Sequence, residues 1–197
     1  MAGRRVTALL AADIPDCNAF TEDDLRTVVD LKRAARQLII GYSGRFKDDA
    51  DDEILAEFIG LFNAAKCAIR IQEVVRERNA YTEGGRPIVF RIGLTHRDVL
   101  FNDDPIDSHA FKIAARLVDL CEPGGICISD KVYNVIEGRF DVEFRDIGEQ
   151  KLYTVPNPVR VFRIKLARHR PAWRNLRWAV AVLGVLGLMW WLIERLE

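Results

Sequence analysis

The residues of this sequence whose types could do chemistry are, first, its carboxylates. Asp13 closes an apolar run, VTALLAADI over Val6–Ile14, and Asp52 lies in the acidic segment DDADD that follows a first long helical stretch. Two carboxylates brought together repel, and each is protonated or displaced unless a cation or an arginine offsets the charge. Mg2+ or Mn2+ suits such a pair, since hard divalent ions take oxygen ligands and leave positions for phosphate oxygens. A pair of these ions can activate a hydroxyl and stabilise a leaving pyrophosphate. The plainer alternative is a solvated acidic turn with Asp13 merely ending a strand, and spacing alone leaves both open. His96, His109 and His169 share no ligand spacing with one another or with the cysteines, which argues against a zinc site. His96 and Arg97 fall in an expected central hairpin, where they either touch a base or phosphate or are simply solvated. Gly124 and Gly125 form a tight turn and not a phosphate cradle, because no P-loop pattern surrounds them.

These residues must be positioned by strands and helices, and the hydrophobic pattern supplies both. Val6–Ile14 suits a central strand buried on both faces. Asp23–Tyr42 has Leu25, Val28, Val29, Leu31, Leu38 and Ile39 at helical spacing, with Gly44 as a stop signal. Short strands are expected at Arg45–Asp48 and Glu53–Phe58, then a helix over Leu61–Asn79. Strands at Ile88–Thr95 and Asp98–Phe101 follow, then a helix over Ala110–Cys121. A strand at Ile126–Ser129, a short helix over Asp130–Glu137 and a final hairpin ending near Ile164 complete the order. The sum is an α+β domain on the ferredoxin-like βαββαβ plan with additions. In that plan the first strand runs antiparallel beside the third, so Asp13 and Asp52 are expected to face one another.

The chain has 197 residues, enough for one soluble core, with 29 basic and 29 acidic residues. Balanced charge gives no overall field for nucleic acid, and no nucleic-acid partner is expected. Cys17, Cys67, Cys121 and Cys127 show no metal-ligand spacing and have the look of reduced, packed thiols. No signal peptide is expected, because Arg4, Arg5 and a strand-like run follow Met1 without an apolar stretch.

Near the other end, WAVAVLGVLGLMWWLI over Trp178–Ile193 carries no charge for 16 residues. As a helix it would extend roughly 24 Å at about 1.5 Å per residue, near the lower limit for spanning a bilayer. It has no polar face, so a spanning helix is expected in place of an interfacial one. Trp173, Trp178, Trp190 and Trp191 flank it, and Lys165, Arg168, Arg170, Arg174 and Arg177 precede it. By the positive-inside tendency the domain is expected on the cytoplasmic side of a cell membrane, anchored by a single pass. The expected division is thus a domain over 1–164, a basic linker over 165–177 and a transmembrane helix over 178–193.

Taken together, RRVTALLAADI, SGRFKDDADDEILAEF, VFRIGLTHRDVL, KIAARLVDLCEPGGICIS and FRDIGEQKLYTVPNPVRVFRI make Arg4–Ile164 resemble the catalytic domain of class III nucleotidyl cyclases. The resemblance implies conversion of a nucleoside triphosphate to a 3′,5′-cyclic monophosphate and pyrophosphate. It also implies two Mg2+ or Mn2+ ions and shared sites formed between the subunits of a head-to-tail homodimer. Matched position by position, the metal residues fall on Asp13, the adjacent Ile14, and Asp52, and the transition-state arginine falls on Arg116.

Other positions depart from the family pattern. The lysine that reads adenine falls on Asp48, with Lys47 one place away, and its partner acid falls on Pro105, with Asp104 one place away. A ribose-orienting asparagine is replaced by Lys112, one helical turn before Arg116 and on the same helix face. The glycine expected three residues after the first metal aspartate is Asp16, and those flanking the second are Asp51 and Glu53, which changes backbone freedom and local charge. In losing the adenine pair while keeping the metal acids, the chain is similar to the pyrimidine cyclases of bacterial anti-phage defence, which make cyclic UMP or cyclic CMP. Two functions are therefore in play: a membrane-anchored pyrimidine cyclase, or a catalytically silent cyclase-homology domain that serves as a dimeric nucleotide-binding or scaffold module.

Overall fold

A computed structural model of the chain describes residues 5–16, 19–47, 53–81, 86–99, 108–152 and 157–166. Asp48, Asp52, Pro105, the basic linker beyond Leu166 and the Trp178–Ile193 run lie outside the described residues. Among those described, no helix is long and apolar enough to cross a membrane.

The elements run β1 (Arg5–Asp13), α1 (Glu22–Gly41), β2 (Gly44–Phe46), β3 (Ile54–Ile59), α2 (Leu61–Ala80), β4 (Arg91–Val99), α3 (Ser108–Asp119), β5 (Ile126–Ser129), α4 (Asp130–Ile136), β6 (Val142–Gln150) and β7 (Val159–Leu166). The strands form one sheet in the order β2-β3-β1-β4-β5-β7-β6. β1 is antiparallel to β3 on one side and to β4 on the other. Its expected place as a strand buried on both faces holds, since Ala8 through Ala12 are at most 1% exposed.

Alternation along β1 sorts the interior into two layers. Ala8, Leu10 and Ala12 point into the larger core, where Ile39 of α1, Ala68 and Ile71 of α2, and Val132 of α4 pack with them. Leu9 and Ala11 point the other way, against Phe111, Ala114 and Val118 of α3. Leu117 and Cys121 continue that second layer onto Cys127 of β5. Cys67, Cys121 and Cys127 are buried free thiols, as the sequence suggested.

Two expected elements need correction. The hairpin placed around His96 and Arg97 is instead the uninterrupted strand β4. Its second half does not turn back because the start of β1 pairs with it, Thr7 opposite Arg97 and Arg5 opposite Val99. β2 is also shorter than expected and starts earlier, at Gly44, where Phe58 and Ile39 crowd so closely that a side chain would not fit.

α3 packs closely on β4 at Gly93. A Cβ placed on Gly93 would lie 2.1 Å from the Ala114 carbonyl oxygen and 2.8 Å from the Val118 nitrogen, so the helix backbone rests directly on the strand. Gly93→Ala is expected to destabilise the domain by about 3 kcal/mol or more, beyond ordinary overpacking because the obstacle is backbone. Urea unfolding of the variant beside the wild type measures it, and a loss below about 0.5 kcal/mol would contradict this packing.

Candidate active site at the end of the central strand

Asp13 is the last residue of β1, and the antiparallel register sets it opposite Arg91, the first residue of β4. The Arg91 Nε donates to Asp13 Oδ1 at 3.0 Å, and its Nη2 donates to Oδ2. Both carboxylate oxygens are thus engaged by one planar guanidinium, a bidentate geometry with directionality as well as charge. Each side chain is 23% exposed. The hydrogen bonds that Arg91 donates to Asp13 hold its guanidinium still more firmly protonated, and the nearby Asp119 carboxylate adds to this.

Arg116 lies on the exposed side of α3, where its Nη1 is 3.0 Å from Asp119 Oδ2, one turn on. The packing at Gly93 brings this end of α3 to the start of β4. Two residues past α3, the Cys121 thiol donates to the Ile92 carbonyl at 3.1 Å. Charges of alternating sign therefore run Asp13, Arg91, Asp119, Arg116 across one face of the sheet. Lys112 is exposed on the same helix. The ammonium of Lys47 lies 4.9 Å from the centroid of the Phe111 ring on α3, a cation–π contact. Of the residues expected at the site, the structure thus gathers Lys47, Lys112 and Arg116 along α3 and sets Asp13 at the end of β1. Ile14 follows Asp13 and is buried.

Nothing local in VFRIGL marks Arg91 for a role. Its signal is positional and visible only once β4 is registered against β1. The loop after Asp13 also differs from expectation. Asp16 replaces a glycine, yet its φ of 60° is the left-handed conformation that glycine would supply. Aspartate tolerates that region better than most residues. Its charge is offset by Arg86, whose Nη2 is 3.3 Å from Asp16 Oδ2 and whose guanidinium lies over Phe20. The loop then enters α1 through a capping box in which Thr21 and Asp24 bond reciprocally. The backbone hydrogen bond from Thr21 holds the Asp24 carboxyl below its usual range.

The donor chemistry at the end of β1 fits a hard divalent ion. Asp13 presents two oxygens that already hold a cationic group, and the expected second acid, Asp52, lies two residues before β3, the strand next to β1. Among the described residues no cluster of three or more ligating side chains forms. Asp13 is the described acid of the expected set.

No protein-family model matches this chain. The crystal structure of an adenylate/guanylate cyclase/hydrolase from Silicibacter pomeroyi superposes with a TM-score of 0.72 and 32% identity, covering 84% of this chain and 99% of that one. The adenylyl cyclase CyaB from P. aeruginosa shares the fold at a TM-score of 0.67 and 16% identity, over 86% of this chain and 98% of its own. Among curated proteins, one named "Putative adenylate cyclase 3" from Rhizobium meliloti (strain 1021) is 30% identical over 164 residues, 81% of this chain and 28% of that protein. An uncharacterized protein of Mycobacterium tuberculosis is 26% identical over 164 residues, 79% of this chain and 54% of its own length. This chain therefore spans about a quarter to a half of the curated relatives it matches. It belongs to the class III adenylate/guanylate cyclase family.

The Asp16 conformation is testable by substitution. Asp16→Gly keeps the backbone and loses only an exposed ion pair, so its stability should change by less than about 1 kcal/mol. Asp16→Val forces a β-branched residue into the left-handed region, and should cost a further 1–2 kcal/mol or so. Equal stability of the two variants in denaturant titration would contradict a left-handed Asp16.

Proposed function

We propose that this protein is a homodimeric nucleotide cyclase converting a nucleoside triphosphate, UTP or CTP in preference to ATP, into a 3′,5′-cyclic monophosphate and pyrophosphate. The observation that carries the reading is the Asp13–Arg91 fork at the end of β1, in a chain of this family that also keeps Arg116. Asp13, Ile14 and Asp52 are the residues that would hold Mg2+ or Mn2+, which when bound supplies Lewis acidity and makes the ribose 3′-hydroxyl more acidic. In the reaction the 3′-oxygen bonds to the α-phosphorus while the bond from that phosphorus to the bridging oxygen breaks. Pyrophosphate leaves with the electron pair, and the hydroxyl proton passes to solvent.

The protein's own groups supply position and charge, the main requirements of phosphoryl transfer. A guanidinium that grips a carboxylate in a fork fits phosphate oxygens equally well, so Arg91 released from Asp13 can turn to the triphosphate. In a shared site, Arg116 of the partner subunit offsets the charge developing on the α-phosphate, and Lys112 adds a second positive charge. Lys112 lacks the amide geometry of asparagine, so it acts by charge and not by orienting the ribose.

The preference for a pyrimidine rests on the missing adenine pair at Asp48 and Pro105. The same departures support a role as a second-messenger synthase in anti-phage defence. The uncharged run Trp178–Ile193 supports a single-pass anchor with the domain on the cytoplasmic side. The basic linker before it suits anionic headgroups, each Lys or Arg contributing about 1 kcal/mol near the surface.

The decisive experiment incubates the full chain with ATP, GTP, CTP or UTP and Mn2+ and looks for cyclic products by mass spectrometry. A cyclic pyrimidine nucleotide is expected. Absence of any product from a folded dimer would leave the silent scaffold module as the better account. Asp13→Asn should lower kcat/KM by about 3 kcal/mol of transition-state stabilisation or more, since a ligand and a charge are lost together. Mixing Asp13→Asn chains with Arg116→Ala chains should restore about a quarter of wild-type activity, because half the dimers are then mixed and each holds one intact site of two. No recovery on mixing would rule out shared sites. For the anchor, the full chain should stay with membranes through alkaline carbonate extraction, and release into the supernatant would refute the spanning helix.

A further inference from the structure

The segment that delivers Arg91 to Asp13 is not itself part of a strand. Residues 86–90 carry no regular structure, although Ile88 and Phe90 are buried. Buried backbone groups outside a ladder must find partners elsewhere, and here two side-chain amides of α2 provide them. Asn79 pairs with Ile88 on both sides: its Nδ2 donates to the Ile88 carbonyl at 2.8 Å, and its Oδ1 accepts from the Ile88 N–H at 3.2 Å. Two turns earlier on the helix, Gln72 is 1% exposed. Its Nε2 donates to the Phe90 carbonyl at 2.9 Å and to the Gly125 carbonyl at 3.0 Å.

Those two carbonyls also stitch β4 to β5. The Gly124 N–H donates to Phe90 at 2.9 Å and the Ile92 N–H donates to Gly125 at 3.2 Å. Gln72 therefore grips both backbones, at Phe90 just before Arg91 and at Gly125, which accepts from the Ile92 N–H just after it. A buried amide is costly unless satisfied, and an apolar residue would fill the same space in this core without that demand. What the amides add is direction: they fix where the chain enters β4, one residue before the guanidinium that closes on Asp13.

We infer that Gln72 and Asn79 are positioning residues for Arg91, an amide clamp on α2 that sets the geometry of the Asp13–Arg91 pair. The inference deepens the cyclase reading and rests on it for its catalytic consequence. The clamp touches no reacting atom. It acts through Arg91, so its loss should weaken triphosphate placement in the same way as a change at Arg91 itself.

The test is a pair of double-mutant cycles in the full chain, Gln72→Met with Arg91→Lys and Asn79→Leu with Arg91→Lys. Gln72→Met keeps the volume and leaves each carbonyl its backbone donor, and Asn79→Leu is an independent variant should the first not fold. Each single clamp variant is expected to lower kcat/KM about tenfold, and the double variants should fall no further than Arg91→Lys alone, because residues acting through one group are not additive. Losses of thermal stability should instead add. Multiplicative losses of activity, or lost stability with full activity, would reduce the amides to structural filler and overturn the inference. Hydrogen exchange of the Arg91 Nε–H, followed by NMR, keeps the two readings separate. If the wild type cyclises no triphosphate, faster exchange in both clamp variants still supports the clamp, and unchanged exchange refutes it.

Discussion

The structure depends on one constraint: β1 is sandwiched between two antiparallel neighbours and covered by helices on both faces. A strand with no exposed face can carry a charge only where it ends. Asp13 is that end, and β4, running the opposite way, necessarily begins beside it with Arg91. The ion pair follows from the topology. So does its position at the rim of the sheet, where the side chains are only partly covered.

The second layer shows how a helix is brought close enough to take part. α3 lies on β4 at Gly93 with backbone against backbone, which no residue with a side chain would permit. That approach sets Asp119 near Arg91 and carries Arg116 to the same region. It also buries Cys121 and Cys127, and burial pushes the Cys121 thiol up. The departures from the family pattern gain physical meaning in this setting. Asp16 supplies glycine's backbone conformation and brings a charge, and Arg86 offsets that charge. Lys47 leans on the Phe111 ring.

The sequence by itself determined a good deal. The apolar run from Val6 that closes on Asp13 suits a central strand, and the helical spacing of α1 and α2 placed both within a residue or so of their observed bounds. The quoted motifs identified the family, and they identified Asp13 and Arg116 as residues of interest. These features are local: periodicity, chain order and residue type record them directly.

Only the tertiary structure decided how the residues meet. Arg91 and Asp13 are 78 positions apart in sequence, and which arginine faces the acid depends on a register that shifts every partner if it slips by one residue. His96 and Arg97 belong to a strand and not a turn because the start of β1 is long enough to pair with them, a fact about another part of the chain. In the sequence Gln72 and Asn79 are two polar residues of a helix. Their role appears only when α2 is laid against residues 86–90, since an amide has no preferred partner until buried carbonyls are brought to it.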